Sequence, residues 1–166
     1  MKKLLSGLLT FAVLSAHAQE APKVTSAIIA LRGNEIVEAK GFIDEAAAII
    51  ETKNQSEIKE KILTKYYYNR ALIYAKIAGS PDADIKALSD NANEIAGECI
   101  LDLLKYESTL KKPRYSEDAL REVPMIAYNY LVDAGASYDA EDYAASYNGY
   151  MAAFDFKKNE LLGDFK

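Results

Sequence analysis

The 166-residue sequence has one histidine, one cysteine and no tryptophan, and the first two shortages remove most familiar catalytic machinery. The histidine, His17, lies in the opening stretch MKKLLSGLLTFAVLSAHAQE, where Lys2 and Lys3 precede an apolar run from Leu4 to Leu14 and a small-x-small pattern at Ala16, His17 and Ala18. That order predicts a secretory signal peptide over 1–18, cleaved after Ala18, because the apolar run is shorter than the roughly 20 residues a bilayer span requires. The mature chain of 148 residues then has no histidine. Serine-histidine and cysteine-histidine catalysis and histidine-held zinc are excluded on inventory. Cys99 has no second cysteine to pair with; in an apolar helical stretch it reads as a small buried residue, with a reactive or intermolecular thiol as the alternative. No cysteine follows the apolar run, so no lipid or other stable membrane anchor is expected.

Positive charge is scarce as well. Removing Lys2 and Lys3 reduces the basic count from 20 to 18 against 25 acidic residues, a net charge of −7. Neither nucleic acid nor an anionic membrane surface suits such a chain. Hydrophobic content of 50% with 27% charged residues is ordinary for a folded globular domain.

Strand-like alternation is the next absence, and helical spacing is what stands in its place. From Glu35 to Glu51, Ile36, Ala39, Ile43, Ala46, Ala47 and Ile50 recur at three and four residues behind a candidate N-cap, Asn34. After a polar break at Thr52 to Ser56, a long helix is expected through Ser56, Ile58, Ile62, Leu63, Tyr67, Ala71, Tyr74 and Ile77, stopped by Gly79 and Pro81. An acidic connection with a helical turn at DIKAL leads to a third helix near Asn91 to Glu107, and a basic loop, STLKKPRY, follows. Ser116, with Glu117 and Asp118 behind it, is the expected N-cap of a fourth helix; Pro124 either starts or kinks it. A last helix is expected from about Ala140 to Asp142 toward Leu162. Between the signal and Asn34, AIIAL reads as a short turn or a helix. The organisation expected is a signal peptide at 1–18, an N-terminal segment at 19–34 and an all-α domain at 35–166.

The helices also repeat a pattern. Tyr67, Ala71 and Tyr74 have large-small-large spacing; Ala39, Ile43 and Ala46, then Ala96, Ile100 and Leu103, carry the complementary one. The segment LVDAGASYDAEDYAASYNGYMAAFDF supplies Ala134, Gly135 and Tyr138, then Ser146, Tyr150 and Ala153. This resembles the tetratricopeptide repeat family from about Glu35 to the end. The resemblance implies antiparallel helix pairs stacked as a right-handed superhelix, with small residues such as Ala71 or Gly135 where the helices of a pair approach.

No phosphate loop, metal cluster or catalytic motif accompanies the acids. Glu94 with Glu98, and Asp139 with Glu141 and Asp142, read as solvated faces. No catalytic residue, metal or cofactor is expected, and the chain is read as non-enzymatic. The 12 tyrosines attract more interest, above all TKYYYNRALIYAK at Thr64 to Lys76. Tyr67 and Tyr74 are assigned to packing, with Tyr66 bordering the preceding helix pair. The resemblance implies a groove lined by Lys65, Tyr68, Asn69, Leu72 and Lys76, in which Lys65 and Asn69 match positions that grip a peptide's terminal carboxylate in the family. The expected activity is that of a periplasmic or secreted adaptor or scaffold of a bacterial cell envelope that binds a protein or peptide partner and is able to form a homo-oligomer. A glycan-binding helical protein, and an assembly element of a larger protein of the same kind, are the alternatives.

Overall fold

Two helical hairpins are closed by the same three-residue device, and both are legible from backbone chemistry. Helix α1 (Glu20–Arg32) tolerates Pro22 because the ring sits in the first turn, where backbone N–H groups lack helical acceptors. It stops at Gly33 and Asn34. Asn34 adopts φ 60°, while Glu35 N–H donates to Ala30 O at 2.9 Å and Asn34 N–H to Leu31 O at 3.1 Å, a Schellman turn with Asn34 in the left-handed position. Asn34 therefore ends α1 and does not cap α2 (Ile36–Ile50), which begins after Glu35 with no side-chain cap. The undecided AIIAL lies wholly inside α1.

The structure, a computed structural model, describes residues 20–163; the predicted signal segment lies outside the described residues. Among the described residues there are seven helices and no strand, so the chain is all-α. It divides between Ile62 and Leu63 into two compact units.

In the first unit α1 and α2 pack along Val24, Ala27 and Ala30 against Ala39, Ile43 and Ala46, all buried. Small residues predominate on both faces, which lets the two backbones approach closely. Glu20, nearly buried, accepts from Lys53 Nζ at 2.8 Å, and Lys40 pairs with Asp44 at 2.7 Å. The polar break after α2 contains a 3-10 turn at Gln55–Glu57, where Glu57 accepts from the Asn54 backbone N–H.

The second unit contains α3 (Glu60–Ala78) from Leu63 onward, the short α4 (Ala83–Lys86), α5 (Ala92–Glu107), α6 (Ser116–Asp139), α7 (Tyr143–Lys158) and a 3-10 turn at Glu160–Leu162. Its core contains Leu63, Ile73, Ile77, Ile100, Leu103 and Ile126. Helix α6 runs unbroken through Pro124 from Ser116 to Asp139, so the proline neither starts it nor ends it. Ser116 is its first residue and not a side-chain cap. The capping oxygen comes instead from Glu107, the last residue of α5: its fully buried carboxylate accepts from the backbone N–H groups of Arg114, Tyr115 and Ser116 and from the Ser116 hydroxyl. Charge at the positive end of the α6 dipole and four donors together hold the basic loop closed.

Helices α6 and α7 form the second hairpin. Glu141 takes φ 61°, Asp142 N–H donates to Ser137 O and Glu141 N–H to Tyr138 O, both at 2.9 Å, repeating the Schellman geometry of the first hairpin. The Asp142 side chain then accepts from Ala145 N–H and caps α7. The close approach lies at Gly149, where a Cβ would stand 2.9 Å from Ala134 Cβ; it is not at Gly135, around which there is open space.

Candidate binding face

Each tyrosine of the YYY run has a different environment. Tyr66, not Tyr67, is the buried one. Its hydroxyl accepts from Arg70 Nη1 at 2.9 Å, and the Arg70 guanidinium lies 5.8 Å and 5.6 Å from the Tyr66 and Tyr74 ring centres, as cation–π contacts require. Tyr67 tilts against Tyr66 and is half-buried. Burial beside this cluster pushes the Cys99 thiol up to about 12, with Arg70 opposing, so at neutral pH it is the protonated thiol of a buried apolar residue.

Tyr68 is half-buried and stacks on Tyr115 at 4.9 Å and 18°. Burial raises its hydroxyl pKa first, and the Glu122 and Asp118 carboxylates raise it further. Asn69 is only 8% exposed, and its amide donates to Lys65 O at 2.8 Å within the same helix. Lys65 and Leu72 are half-buried, and Lys76 is exposed. Burial raises the carboxyl pKa of Glu122, as does Asp118, while Lys76 lowers it. Of the five α3 residues expected in a groove, Tyr68 and Lys76 therefore lie within electrostatic reach of acids on α6. Asp118 and Glu122 oppose an incoming carboxylate near Tyr68, Arg121 and Lys76 offset them, and Asn69 has given one of its two amide donors to its own helix.

An opening lies between α6 and α7. It is a groove of about 540 Å³ walled by Pro124, Tyr128 and Leu131 on one helix and by Tyr150, Phe154 and Lys157 on the other. Val123, Ala127 and Ala153 form its floor. Among the described residues thirteen large apolar or aromatic side chains are exposed, and all but Ile29 and Val37 lie between Met125 and Leu161. From Tyr143 to Phe156, α7 carries one charged residue, Asp155. A helix so poor in charge is normally enclosed on all sides, yet here only Ser146, Ala153 and Phe156 are buried. Phe156 packs on Tyr130 at 5.9 Å between ring centres and fastens α7 inward, leaving Tyr143, Tyr147, Tyr150 and Phe154 outward.

The sequence reading placed Tyr138 and Tyr150 at packing positions, whereas Tyr138 is 59% and Tyr150 46% exposed. The signal was present in their spacing: Tyr143, Tyr147, Tyr150 and Phe154 form one stripe, and nothing charged interrupts it.

A second, smaller cavity of about 220 Å³ lies where Lys86, Ser89, Asp90 and Asp133 surround Asn93. Lys86 pairs with Asp133 at 2.9 Å across it, and the buried Asn93 carboxamide makes no hydrogen bond to protein. Among the described residues no three histidine, cysteine or carboxylate side chains come together as a metal site, and no helix is long and apolar enough to cross a membrane. No family model, curated protein or solved structure matches the chain. The α6–α7 groove is apolar, with one lysine at its rim, and its chemistry is that of recognition by shape and hydrophobic contact.

Proposed function

We propose that the chain is a non-enzymatic scaffold that holds an amphipathic helix of a polypeptide partner in the α6–α7 groove. The observation that carries this reading is that ten of the thirteen exposed large apolar side chains among the described residues lie on one hairpin, a concentration of the sort that marks an interaction surface. Two parallel apolar walls with a shallow floor suit the apolar stripe of a third helix, and Lys157 at the rim suits an acidic residue beside that stripe. Export to a bacterial envelope by the segment 1–18, and kinship with tetratricopeptide-like repeats, belong to the same proposal. The identical Schellman turns closing α1–α2 and α6–α7 support a repeated hairpin unit.

Exposed tyrosines also suit a glycan, since rings stack on sugar faces. The groove wall, however, includes Leu131 and no carboxylate or amide. Sugar hydroxyls need such polar partners, and apolar side chains do not.

The test is fluorescence anisotropy with a labelled 18-residue amphipathic peptide, leucine and alanine on one face and glutamate on the other. Binding should be lost in Phe154→Asp and Tyr128→Ala and unchanged in Lys76→Ala. Binding that survives Phe154→Asp, or retention of cell-wall glycan fragments in place of peptide, would overturn the reading.

A further inference from the structure

We infer that the partner of the α6–α7 face is a second copy of this chain, the two hairpins packing antiparallel about a two-fold axis. The inference rests on the polypeptide-binding reading above and names its partner. Tyr143, Tyr147, Tyr150 and Phe154 follow one another at four, three and four residues, the spacing of a coiled-coil seam, and all four are exposed. In an antiparallel seam of this spacing the two halves are interchangeable: Tyr143 of one copy lies opposite Phe154 of the other, and Tyr147 opposite Tyr150. A two-fold interface requires that self-complementarity.

Charge selects the same arrangement. Asp139, Glu141 and Asp142 stand at the turn before α7, while Lys157 and Lys158 close its other end, and all five are exposed. Asp142 and Lys157 are separated by about 22 Å at 1.5 Å per residue. Antiparallel pairing brings each acidic turn to the other copy's lysines, twice over; parallel pairing would set like charges together. Asp155 lies roughly 100° around the helix from Phe154, off the seam. An anionic bilayer fits the face less well, because the acidic turn lies along it.

The area suffices. Tyr128, Tyr138, Tyr143, Tyr147, Tyr150 and Phe154 average about three-fifths exposed, and with roughly 200 Å² for a ring side chain they offer about 700 Å² per copy, near the ~800 Å² per partner of a standard interface. Leu131, Val132 and Met151 add to it.

Sedimentation velocity of the purified full chain tests the inference with two charge-reversed variants, Asp139→Lys/Glu141→Lys and Lys157→Glu/Lys158→Glu. All four positions are exposed, so helical content by circular dichroism should match the parent. The parent should be dimeric at about 10 µM, each variant alone should dissociate at least about tenfold more readily, and an equimolar mixture should recover parental affinity, since reversed ends complement one another. Variants that dimerise as tightly as the parent, or a mixture that recovers nothing, overturn the inference. A parent that is monomeric at about 100 µM yet binds the amphipathic peptide overturns self-pairing alone; a monomer that binds no peptide overturns both readings.

Discussion

Replacing Glu107 by glutamine should cost this protein about as much as deleting a large core side chain, though no volume is lost. In the parent, Oε2 accepts from Arg114 N–H at 3.0 Å, Ser116 N–H at 2.9 Å and Ser116 Oγ–H at 2.7 Å, and Tyr115 N–H reaches both oxygens at 3.0 and 3.1 Å. A hydrogen bond to a charged group contributes about 1.5–3 kcal/mol against about 0.5–1.5 for a neutral one, so turning a carboxylate into an amide removes roughly 1 kcal/mol from each of the three backbone N–H bonds. The expected loss is about 3 kcal/mol, or on the order of 10 °C in Tm for a chain of this size. Glu107→Ala also leaves three part-buried N–H groups without their acceptor and should cost about 4–6 kcal/mol. Ser116→Ala removes a single donor to the carboxylate and should cost about 1.5–3 kcal/mol. Thermal denaturation followed at 222 nm gives the ranking, and hydrogen exchange locates it: the amides of 114–116 should lose protection first in Glu107→Gln. A glutamine variant as stable as the parent would refute the reasoning, because it would mean that desolvating the carboxylate cancels everything its hydrogen bonds return.

The two glycines of the second hairpin should respond oppositely to alanine. Gly149→Ala drives a Cβ to 2.9 Å from Ala134 Cβ and should destabilise by about 1–2 kcal/mol in urea denaturation, whereas Gly135→Ala meets open space and should stabilise by up to ~1 kcal/mol through helix propensity. Glu141→Gly should also stabilise, by about 0.5–1 kcal/mol in the same assay, since a left-handed φ of 61° favours glycine. Raising the pH should destabilise the fold between about 9 and 12. Burial lifts the Cys99 thiol from 9.0 and the Tyr130 hydroxyl from 10.0 to about 12, so the folded state holds both protons more tightly than the unfolded one, and that stabilisation, complete below pH 9, is lost through this window. Cys99→Ala should remove the thiol's share of the pH dependence, and native Cys99 should resist a thiol reagent at pH 8 until urea is added.

The sequence by itself determined the helices after Asn34, because three-and-four spacing and the Gly79–Pro81 stop are local properties of a chain, but left α1 open between a turn and a helix. Helix ends were legible less well. Asn34 and Ser116 both look like N-caps, yet one terminates the preceding helix in a left-handed turn and the other is capped by Glu107 from nine residues upstream. Local preference allows either use of such residues, and contacts made across a loop choose between them. Among Tyr66, Tyr67 and Tyr68, a wheel of one helix could not say which ring is enclosed; Arg70 enclosed the first and Tyr115 engaged the third, and both decisions belong to tertiary packing. The α3 residues had a plausible spacing, but spacing carries no information about Asp118 and Glu122, about fifty residues on from Tyr68, whose charges act on its hydroxyl. The stripe on α7 is the reverse case. Its periodicity was written in the sequence, but only the hairpin, fastened through Gly149 and Phe156, decided that those aromatic rings face outward, because a helix buries the side that its neighbour can approach closely.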